Sequence, residues 1–439
     1  MSEQKNFINF HVLISHSPSC LNRDDQNMQK RAVFGGVERI RISSQSLKRA
    51  MRRPPESWFN YWKDGAKFGT PSTRTRSVEG ITKYMLKELS DEFKNDDAIQ
   101  KTIMMFVKTQ KAKTDEEIED DDDDQTENND SKKIAVAPWV VGEIKELCRI
   151  IKNCRESGLS EEDKAHALKK VGKEVGKKGN KRKLTEEDCI EEAILKKITT
   201  EIEKKKEVIS AAAGTAVDLA LWGRMATSGL MTNVDGSLSV AHAITTHSAQ
   251  AETDWFTAVD DLVKTGTGHL DTQEFSSGVF YRYASLNVAQ LQKNLGGATR
   301  ERALEIAKHV FHMLCTVVPS AKQLPFAAYN TADFAIVSFS DMPISMANAF
   351  EKPIPKEKEG GFYRPSVRSL FQFWNETHRF IGLDEKTAFC LNSAVGQLME
   401  IIGIDDEKIF NQTGISPKAS LVEIEKWIEK DGAKEENKE

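Results

Sequence analysis

The chain has 439 residues, and 62 Lys and Arg against 67 Asp and Glu give it a net charge of −5 at pH 7. This length allows two or three domains with a large buried core. No apolar run approaches the roughly 18 residues of a membrane helix, and the N-terminus lacks a signal-peptide apolar stretch, so we expect a cytoplasmic protein without a membrane partner. The six cysteines form no CxxC pair, which argues against a zinc ribbon or a disulfide framework.

Charge is distributed unevenly along the chain. Residues 115–130 hold eleven acids and no base, so the remaining residues carry a net charge of +6. Residues 1–53 hold ten Lys and Arg against four acids, and residues 168–183 hold eight against one. Concentrated basic surfaces are typical of proteins that bind a polyanion, although each run alone is equally consistent with a solvated face.

The first predicted element is a strand over residues 7–15. One of its faces is apolar and consists of Ile8, Phe10, Val12 and Ile14. The opposite face carries Asn9, His11 and Ser15, and we expect it to remain available to a partner.

A short basic strand and a basic helix follow. In the strand over residues 37–42, Arg39 and Arg41 share a face, which alternation predicts to be cationic. Either Ser43 or Ser44 can cap the next helix, which must end by Pro54. At 100° per residue its cations fall on one arc: Lys48, Arg49, Arg52 and Arg53. The opposite arc is apolar, so the helix is expected to be anchored on one side and basic on the other.

The rest of the chain predicts an α+β fold with a helical insertion. Residues 56–115 and 135–210 read mostly as helix, and the acidic tract between them is predicted to be disordered because it buries too little apolar area. Strands are expected at 279–288 and 334–339, with a helix from about 297 to 317 between them. We divide the chain into residues 1–56 and 215–430 as two parts of one domain, 57–214 as the insertion, and 431–439 as a frayed tail.

Long segments of the sequence resemble a known family. They include NFINFHVLISHSPSCLNRDD, VFGGVERIRISSQSLKRAMRR, GRMATSGLMTNVDGSLSVAHAITTH and GTGHLDTQEFSSGVFYRYASLN. Together with shorter matches such as NLGGATRERALEIAKHV they cover nearly all of residues 6–53 and 215–352. The chain resembles the backbone (CasC) subunits of the type I-E Cascade complex, the RNA-guided CRISPR surveillance assembly, which belong to the RAMP superfamily.

The resemblance implies an RRM-like (ferredoxin-like) palm, a large helical fingers insertion, and a protruding β-hairpin thumb at about residues 249–278. It also implies a non-catalytic subunit without a cofactor, which oligomerises along a CRISPR guide RNA and presents it for pairing with target DNA in antiviral defence. The implied protein partners are further copies of the chain and the other Cascade subunits, namely the large, small, five-prime-end cap and guide-processing endoribonuclease subunits.

The strand and helix around residues 39–53 are the predicted RNA-binding surface. Backbone recognition needs cations and hydrogen-bond donors, and a helix N-terminus adds free N–H groups. The residues themselves point to Arg41, Ser43, Ser44, Gln45, Lys48, Arg49 and Arg52. By resemblance, the family's guide contacts fall on Arg23, Lys30, Ser43, Gln45 and Lys48. The alternative for Arg39 and Arg53 is that they only pair with surface acids.

An aromatic pair in the stretch DWFTAVDDL lies where a small hairpin has little core to bury it. Apolar wedges can intrude between stacked bases. The resemblance puts base-displacing positions at Phe256, Thr257 and Val259. It places Trp255 beside them and Met225 against the kinked base from the palm. From the residues alone, the alternative is that the two aromatic side chains pack against the palm or a neighbouring protomer.

A third basic element is formed by Lys169, Lys170 and Lys173, which are expected along one side of a fingers helix and are candidate DNA contacts. An exposed solubilising helix is the alternative, and Gly172 weakens any long helix there.

The sequence lacks a phosphate-binding loop, a nucleophile elbow and an HExxH pair, and we predict no metal site. The alternative function is a metal-dependent ribonuclease that cuts RNA paired to the guide through Asp24 or Asp25, or Asp260 or Asp261. The type I-E resemblance argues against it, because cutting there belongs to a separate helicase–nuclease. A third hypothesis is a scaffold whose basic faces bind acidic proteins.

Overall fold

The structure is a computed structural model, and it describes residues 4–52, 72–75, 137–175, 182–213, 216–225, 233–249, 251–259, 267–358, 360–392, 400–401 and 415–433. The acidic tract 115–130, Arg53, and the pair Asp260 and Asp261 lie outside these ranges.

The strands are β1 (Phe7–Ser19), β2 (Arg31–Phe34), β3 (Val37–Ile42), β4 (Thr73–Thr75), β5 (Ala137–Trp139), β6 (Glu174–Val175), β7 (Arg182–Lys183), β8 (Leu238–Val240), β9 (Ala243–Thr245), β10 (Glu252–Val259), β11 (Thr267–Asn287), β12 (Phe334–Ser340), β13 (Lys386–Leu391) and β14 (Ile415–Lys418). The helices are α1 (Ser44–Arg52), α2 (Val141–Glu156), α3 (Glu161–Leu168), α4 (Glu186–Lys204), α5 (Lys206–Ala213), α6 (Val217–Trp222), α7 (Val288–Asn294), α8 (Arg300–Thr316), α9 (Gln323–Phe326), α10 (Tyr363–Ile381) and α11 (Leu421–Glu429), with a 3₁₀ turn at Ala347–Phe350. None of the helices in these ranges is long and apolar enough to span a membrane.

The main sheet runs in the order β14-β13-β12-β1-β11-β9-β3-β2, and β8 and β10 pair with β11 beside this path. Strand β1 is central and antiparallel to both β11 and β12. The far end of β11 leaves the sheet and pairs with β10 as a two-stranded hairpin. These features, with helices α2 to α5 between β5 and α6, confirm the predicted α+β class and its hairpin.

The predicted apolar face of β1 is buried against helices. Ile8, Phe10 and Val12 have no exposed surface, and the rings of Phe10 and Phe311 on α8 lie 6.1 Å apart. Helix α8 is capped by Thr299, whose side chain accepts a hydrogen bond from the backbone N–H of Arg302. The predicted helix at about 297–317 is therefore confirmed.

The opposite face of β1 is also buried, so the expectation that it remains available is wrong. Asn9 and His11 are each 1% exposed. The Nδ1 atom of His11 lies 2.8 Å from the Tyr281 hydroxyl, and the Asn9 amide donates to the Met342 carbonyl oxygen at 3.1 Å. The segment after β12 and helix α10 cover this face, and they lie too far along the chain for local alternation to reveal them.

The expected cationic face of β3 holds for only one of its two arginines. Arg39 is fully buried, and its guanidinium donates to the carbonyl oxygens of Thr245 at 3.2 Å and Phe350 at 2.8 Å. A nearby turn also makes close contact, since Gly35 has φ +63° and a Cβ there would overlap the backbone oxygen of Glu351. Arg39 therefore holds loops together and pairs with no surface acid, whereas Arg41 remains partly exposed.

Candidate nucleic-acid interface

The N-terminus of α1 is built by the residues that the sequence indicated. Of the two candidate caps, Ser43 caps the helix, because its hydroxyl accepts from the backbone N–H of Ser46 at 3.1 Å. The Asn22 side chain accepts from the Ser43 N–H at 2.8 Å. Leu47 and Met51 are buried and anchor the helix on its apolar side, as predicted.

An exposed histidine lies directly beside this helix start. The Nδ1 atom of His242 is 3.2 Å from the Arg41 guanidinium and 3.2 Å from the backbone N–H of Ser44. Both partners are donors, so Nδ1 accepts and the ring proton is on Nε2. Partial burial lowers the pKa of His242, and the charges of Arg41, Lys30 and Lys48 lower it further. We refer to His242, Arg41, Lys30 and Lys48 as the histidine cluster.

The cluster joins cations from separate segments of the chain. Lys30 and Arg41 are held side by side, because the Arg41 N–H donates to the Lys30 carbonyl oxygen at 2.8 Å. Lys48, on α1, is half-buried, and burial lowers its pKa, with a further contribution from the charge of Arg74. Lys48 and Arg74 therefore lie close enough to feel each other's charge.

Arg74 was not predicted from the sequence, because it belongs to a three-residue strand of the insertion. Its strand β4 pairs with β5, where Arg74 lies opposite Pro138. Just before β4, the buried Ser72 donates to the Asp218 carboxylate from its backbone N–H at 2.9 Å and its hydroxyl at 2.5 Å. Thus the fingers insertion contributes an exposed arginine to the basic surface of the palm.

A buried ion pair fixes the other side of β5. The Arg224 guanidinium donates to both carboxylate oxygens of Glu143 at 2.8 and 2.7 Å and to the Pro138 carbonyl oxygen at 3.1 Å. The two charged side chains are 0% and 2% exposed. Arg224 therefore holds α2 and β5 in place. The next residue, Met225, is 82% exposed.

The other residues that were predicted to contact the RNA backbone lie in the loop before β2 and on α1, and they differ in exposure. Arg23 is exposed in the loop before β2, and its guanidinium donates to the side-chain oxygen of Asn27. On α1, Gln45 and Arg49 are exposed and Arg52 is half-buried. In the same loop, a carboxylate oxygen of Asp24 accepts the backbone N–H groups of residues 26 and 28, each at 2.9 Å.

The hairpin exposes aromatic side chains on both of its faces. Residues 252–257 are all exposed, with Trp255 at 69% and Phe256 at 38%. Strand alternation puts Trp255 and Thr257 on one face and Phe256 on the other. Val259 ends β10 opposite Thr267, and its side chain lies outside what the structure describes. Trp255 therefore does not pack in the core of its own palm.

The base of the hairpin is tied to the loop that carries Lys30. The buried Glu274 accepts the backbone N–H of Gln29 at 2.9 Å and pairs with the Arg31 guanidinium. The Ser276 hydroxyl donates to the Gln29 side-chain oxygen at 2.7 Å. This network couples the direction of the hairpin to the position of the basic loop.

The three lysines that were predicted to bind DNA were expected along one side of a helix, but they lie at a turn. Helix α3 ends at Leu168, with Lys169 as its C-terminal cap residue. The Lys170 ammonium lies 2.9 Å from the Glu192 carboxylate on α4, and Lys173 is exposed just before β6. Gly172, which has φ +82°, lies in this turn and ends the helical path. Within the described ranges no group of three or more His, Cys, Asp or Glu is placed to hold a metal ion.

Comparison with known proteins identifies the family. The sequence matches the CT1975-like protein family over residues 8–413, and no curated protein is significantly similar to it. A chain of a pre-nicking CRISPR RNA-guided surveillance complex has the same fold, with a TM-score of 0.65 and 24% identity over 97% of this chain and 100% of that one. A chain of a second CRISPR RNA-guided surveillance complex matches with a TM-score of 0.51 and 19% identity, over 96% of this chain and 98% of that one. Because the family match spans most of its length, the chain belongs to the CT1975-like family of Cas proteins.

Proposed function

We propose that this protein is a non-catalytic backbone subunit of a type I-E Cascade complex, which binds a CRISPR guide RNA and oligomerises along it. The observation that carries the proposal is the histidine cluster, where His242 accepts hydrogen bonds from Arg41 and from the first N–H of α1, the Arg41 backbone is hydrogen-bonded to Lys30, and Lys48 lies on the same helix. Such a surface suits a sugar–phosphate backbone, because phosphate contacts position a nucleic acid without reading its sequence.

The fold shared with chains of CRISPR RNA-guided surveillance complexes supports the same proposal. In RNA-guided complexes the sequence is read by base pairing between the guide and the target strand, and the protein reads backbone and shape. The subunit would accordingly present the guide for pairing with target DNA and assemble with the other Cascade subunits in the cytoplasm.

The exposed hairpin supports the oligomeric part of the proposal. A two-stranded ribbon has no core of its own, and here it carries Trp255 on one face and Phe256 on the other. One face would intrude between guide bases while the other contacts the neighbouring copy, since apolar side chains gain most when a partner covers them. Met225, exposed on the palm, is the proposed contact to the displaced base.

Removing two cations of α1 tests the RNA-binding surface. We expect Lys48→Ala with Arg49→Ala to weaken binding of a mixed-sequence single-stranded RNA and to reduce the slope of log K against log salt by about 2. The matched control is Lys426→Ala with Lys430→Ala, which removes the same charge from exposed positions at the end of α11, where no nucleic-acid contact is predicted, and should leave this RNA affinity unchanged. Fluorescence anisotropy over a salt series measures both.

Unchanged RNA binding in the Lys48/Arg49 double variant would contradict the proposal, as would purification of the assembled complex from its host without RNA of uniform length. The absence of catalysis has a separate test, in which the complex is incubated with labelled complementary RNA and Mg²⁺. We expect no cleavage; of the four candidate aspartates, Asp24 is engaged by two backbone N–H groups of its own turn. Periodic cuts that are abolished by an Asp→Ala substitution at residue 24, 25, 260 or 261 would establish the ribonuclease alternative instead.

A further inference from the structure

We propose that His242 is a positioning residue that aims the Arg41 guanidinium at a phosphate of the bound RNA. The inference rests on the proposed RNA-binding function and adds to it a residue that carries no charge of its own in this role. Two hydrogen bonds carry it, because His242 Nδ1 accepts from both the Arg41 guanidinium and the Ser44 backbone N–H.

The backbone on either side of Arg41 is fixed, but its side chain needs a partner to hold it. Arg41 pairs with Ile244 of β9, and its N–H donates to the Lys30 carbonyl oxygen. A long arginine side chain loses conformational entropy when it is held in one rotamer, so a bonding partner is needed to keep it there. A guanidinium has five N–H donors, so one bond to His242 fixes its direction and leaves the others for a phosphate.

The chemistry of the imidazole suits this task better than a carboxylate would. An aspartate or glutamate at this place would orient Arg41 but cancel its charge, and it would repel the phosphate. A neutral imidazole accepts the hydrogen bond and leaves the positive charge intact. The charged groups that act on His242 are Lys30 from the loop before β2, Arg41 from β3 and Lys48 from α1, all cations that favour the neutral ring.

The salt dependence of RNA binding separates positioning from a direct contact. Arg41→Ala should lower the affinity for a mixed-sequence single-stranded RNA roughly tenfold and reduce the salt slope by about 1, as expected for one lost phosphate contact. His242→Ala should reduce the slope by a similar amount at about pH 8, where the ring is neutral. A neutral residue has no charge to lose, so this change arises through a neighbouring cation, which a double-mutant cycle identifies.

A double-mutant cycle and two isosteric variants complete the experiment. The double variant Arg41→Ala with His242→Ala should bind no more weakly than Arg41→Ala alone, whereas His242→Ala and Arg49→Ala should be additive. His242→Asn keeps an acceptor near the Nδ1 position and should bind like the wild type, while His242→Gln, which mimics Nε2, should resemble His242→Ala. Because His242 is exposed, none of these variants should change the unfolding midpoint.

The proposal is overturned if His242→Ala leaves the salt slope unchanged, or if its effect adds fully to that of Arg41→Ala. It is also overturned if His242→Asn loses as much affinity as His242→Ala, because His242 would then contact RNA directly through Nε2. These outcomes leave the proposed function standing as long as the wild type binds RNA. If the wild type binds no RNA at all, both proposals fall together.

Discussion

The buried ion pair between Glu143 and Arg224 gives the sharpest test of how the insertion is held on the palm. Glu143→Leu removes the acceptor of two hydrogen bonds, at 2.7 and 2.8 Å, and takes the counter-charge from a guanidinium with no exposed surface, which also donates to the Pro138 carbonyl oxygen. Breaking a fully buried pair from one side costs about 3–5 kcal/mol, because the other charge stays buried without compensation. We therefore expect Glu143→Leu to lower the free energy of unfolding by about that amount.

The double variant Glu143→Leu with Arg224→Met should recover most of that loss, because replacing both partners by apolar side chains of similar volume is often close to neutral. The matched control is Glu146→Leu on the same helix, whose partner Arg149 is 58% exposed. An exposed pair of this kind contributes at most about 1 kcal/mol. Urea denaturation of the four proteins, followed by tryptophan fluorescence, gives the free energies of unfolding.

Two results would refute this reasoning. A loss below about 1 kcal/mol for Glu143→Leu would mean that the pair is hydrated, and a double variant as unstable as the single one would mean that the charge is not the cause. RNA affinity offers a second readout, since the pair fixes β5 and β5 holds Arg74 beside Lys48. The single variant should therefore lose part of the contribution of Arg74 to RNA binding, and the double variant should regain it.

Two further predictions concern the hairpin and the buried histidines. Trp255→Ala and Phe256→Ala should leave the free energy of unfolding of the isolated protein within about 0.5 kcal/mol of the wild-type value. They should also prevent ordered assembly on RNA, which electron microscopy detects. A large loss of stability would contradict the exposure of these rings. Burial lowers the pKa of His11 and of His16 to about 3 from 6.5. Below pH 6.5 the unfolded chain therefore binds protons that the native state does not, and stability should fall by up to about 1.4 kcal/mol per pH unit for each histidine. The urea midpoint, measured between pH 7 and pH 5, gives this dependence of stability on pH. The dependence should be weaker in His16→Asn, and it would be absent if the histidines were accessible.

Local periodicity predicted the elements whose environment is set by neighbours in sequence. The apolar alternation of β1, a serine cap at residue 43 or 44 and the anchored face of α1 were all visible in the sequence, because each depends on residues within one or two turns. The second face of β1 was not, since it is covered by α10 and the segment after β12, which are distant in sequence. Alternation shows which residues share a face, but it does not show whether another element covers that face.

The two arginines of β3 illustrate the same limit within the site. Arg39 and Arg41 share a face, yet one lies under the 3₁₀ turn that ends at Phe350 and the other lies at the helix start. His242 and Arg74 escaped prediction for different reasons. A single histidine belongs to no basic or apolar pattern, and the arginine lies in a strand too short to give a periodic signal.

The partners of individual arginines bear on function. Two arginines that join structural elements are paired with carboxylates, Arg224 with Glu143 and Arg31 with Glu274, whereas the buried Arg39 donates to carbonyl oxygens. Each such pair is nearly neutral as a unit and adds little to the field that a polyanion feels. Arg41 instead donates its hydrogen bond to a neutral ring, so its full charge remains available. If this surface binds a phosphate chain, replacing the neutral acceptor by a carboxylate should lower RNA affinity more than removing the acceptor does. This holds even though the carboxylate orients the guanidinium more strongly. A comparison of His242→Asp with His242→Ala in RNA binding at low salt measures this difference directly, and equal affinities would show that the charge of Arg41 is not used.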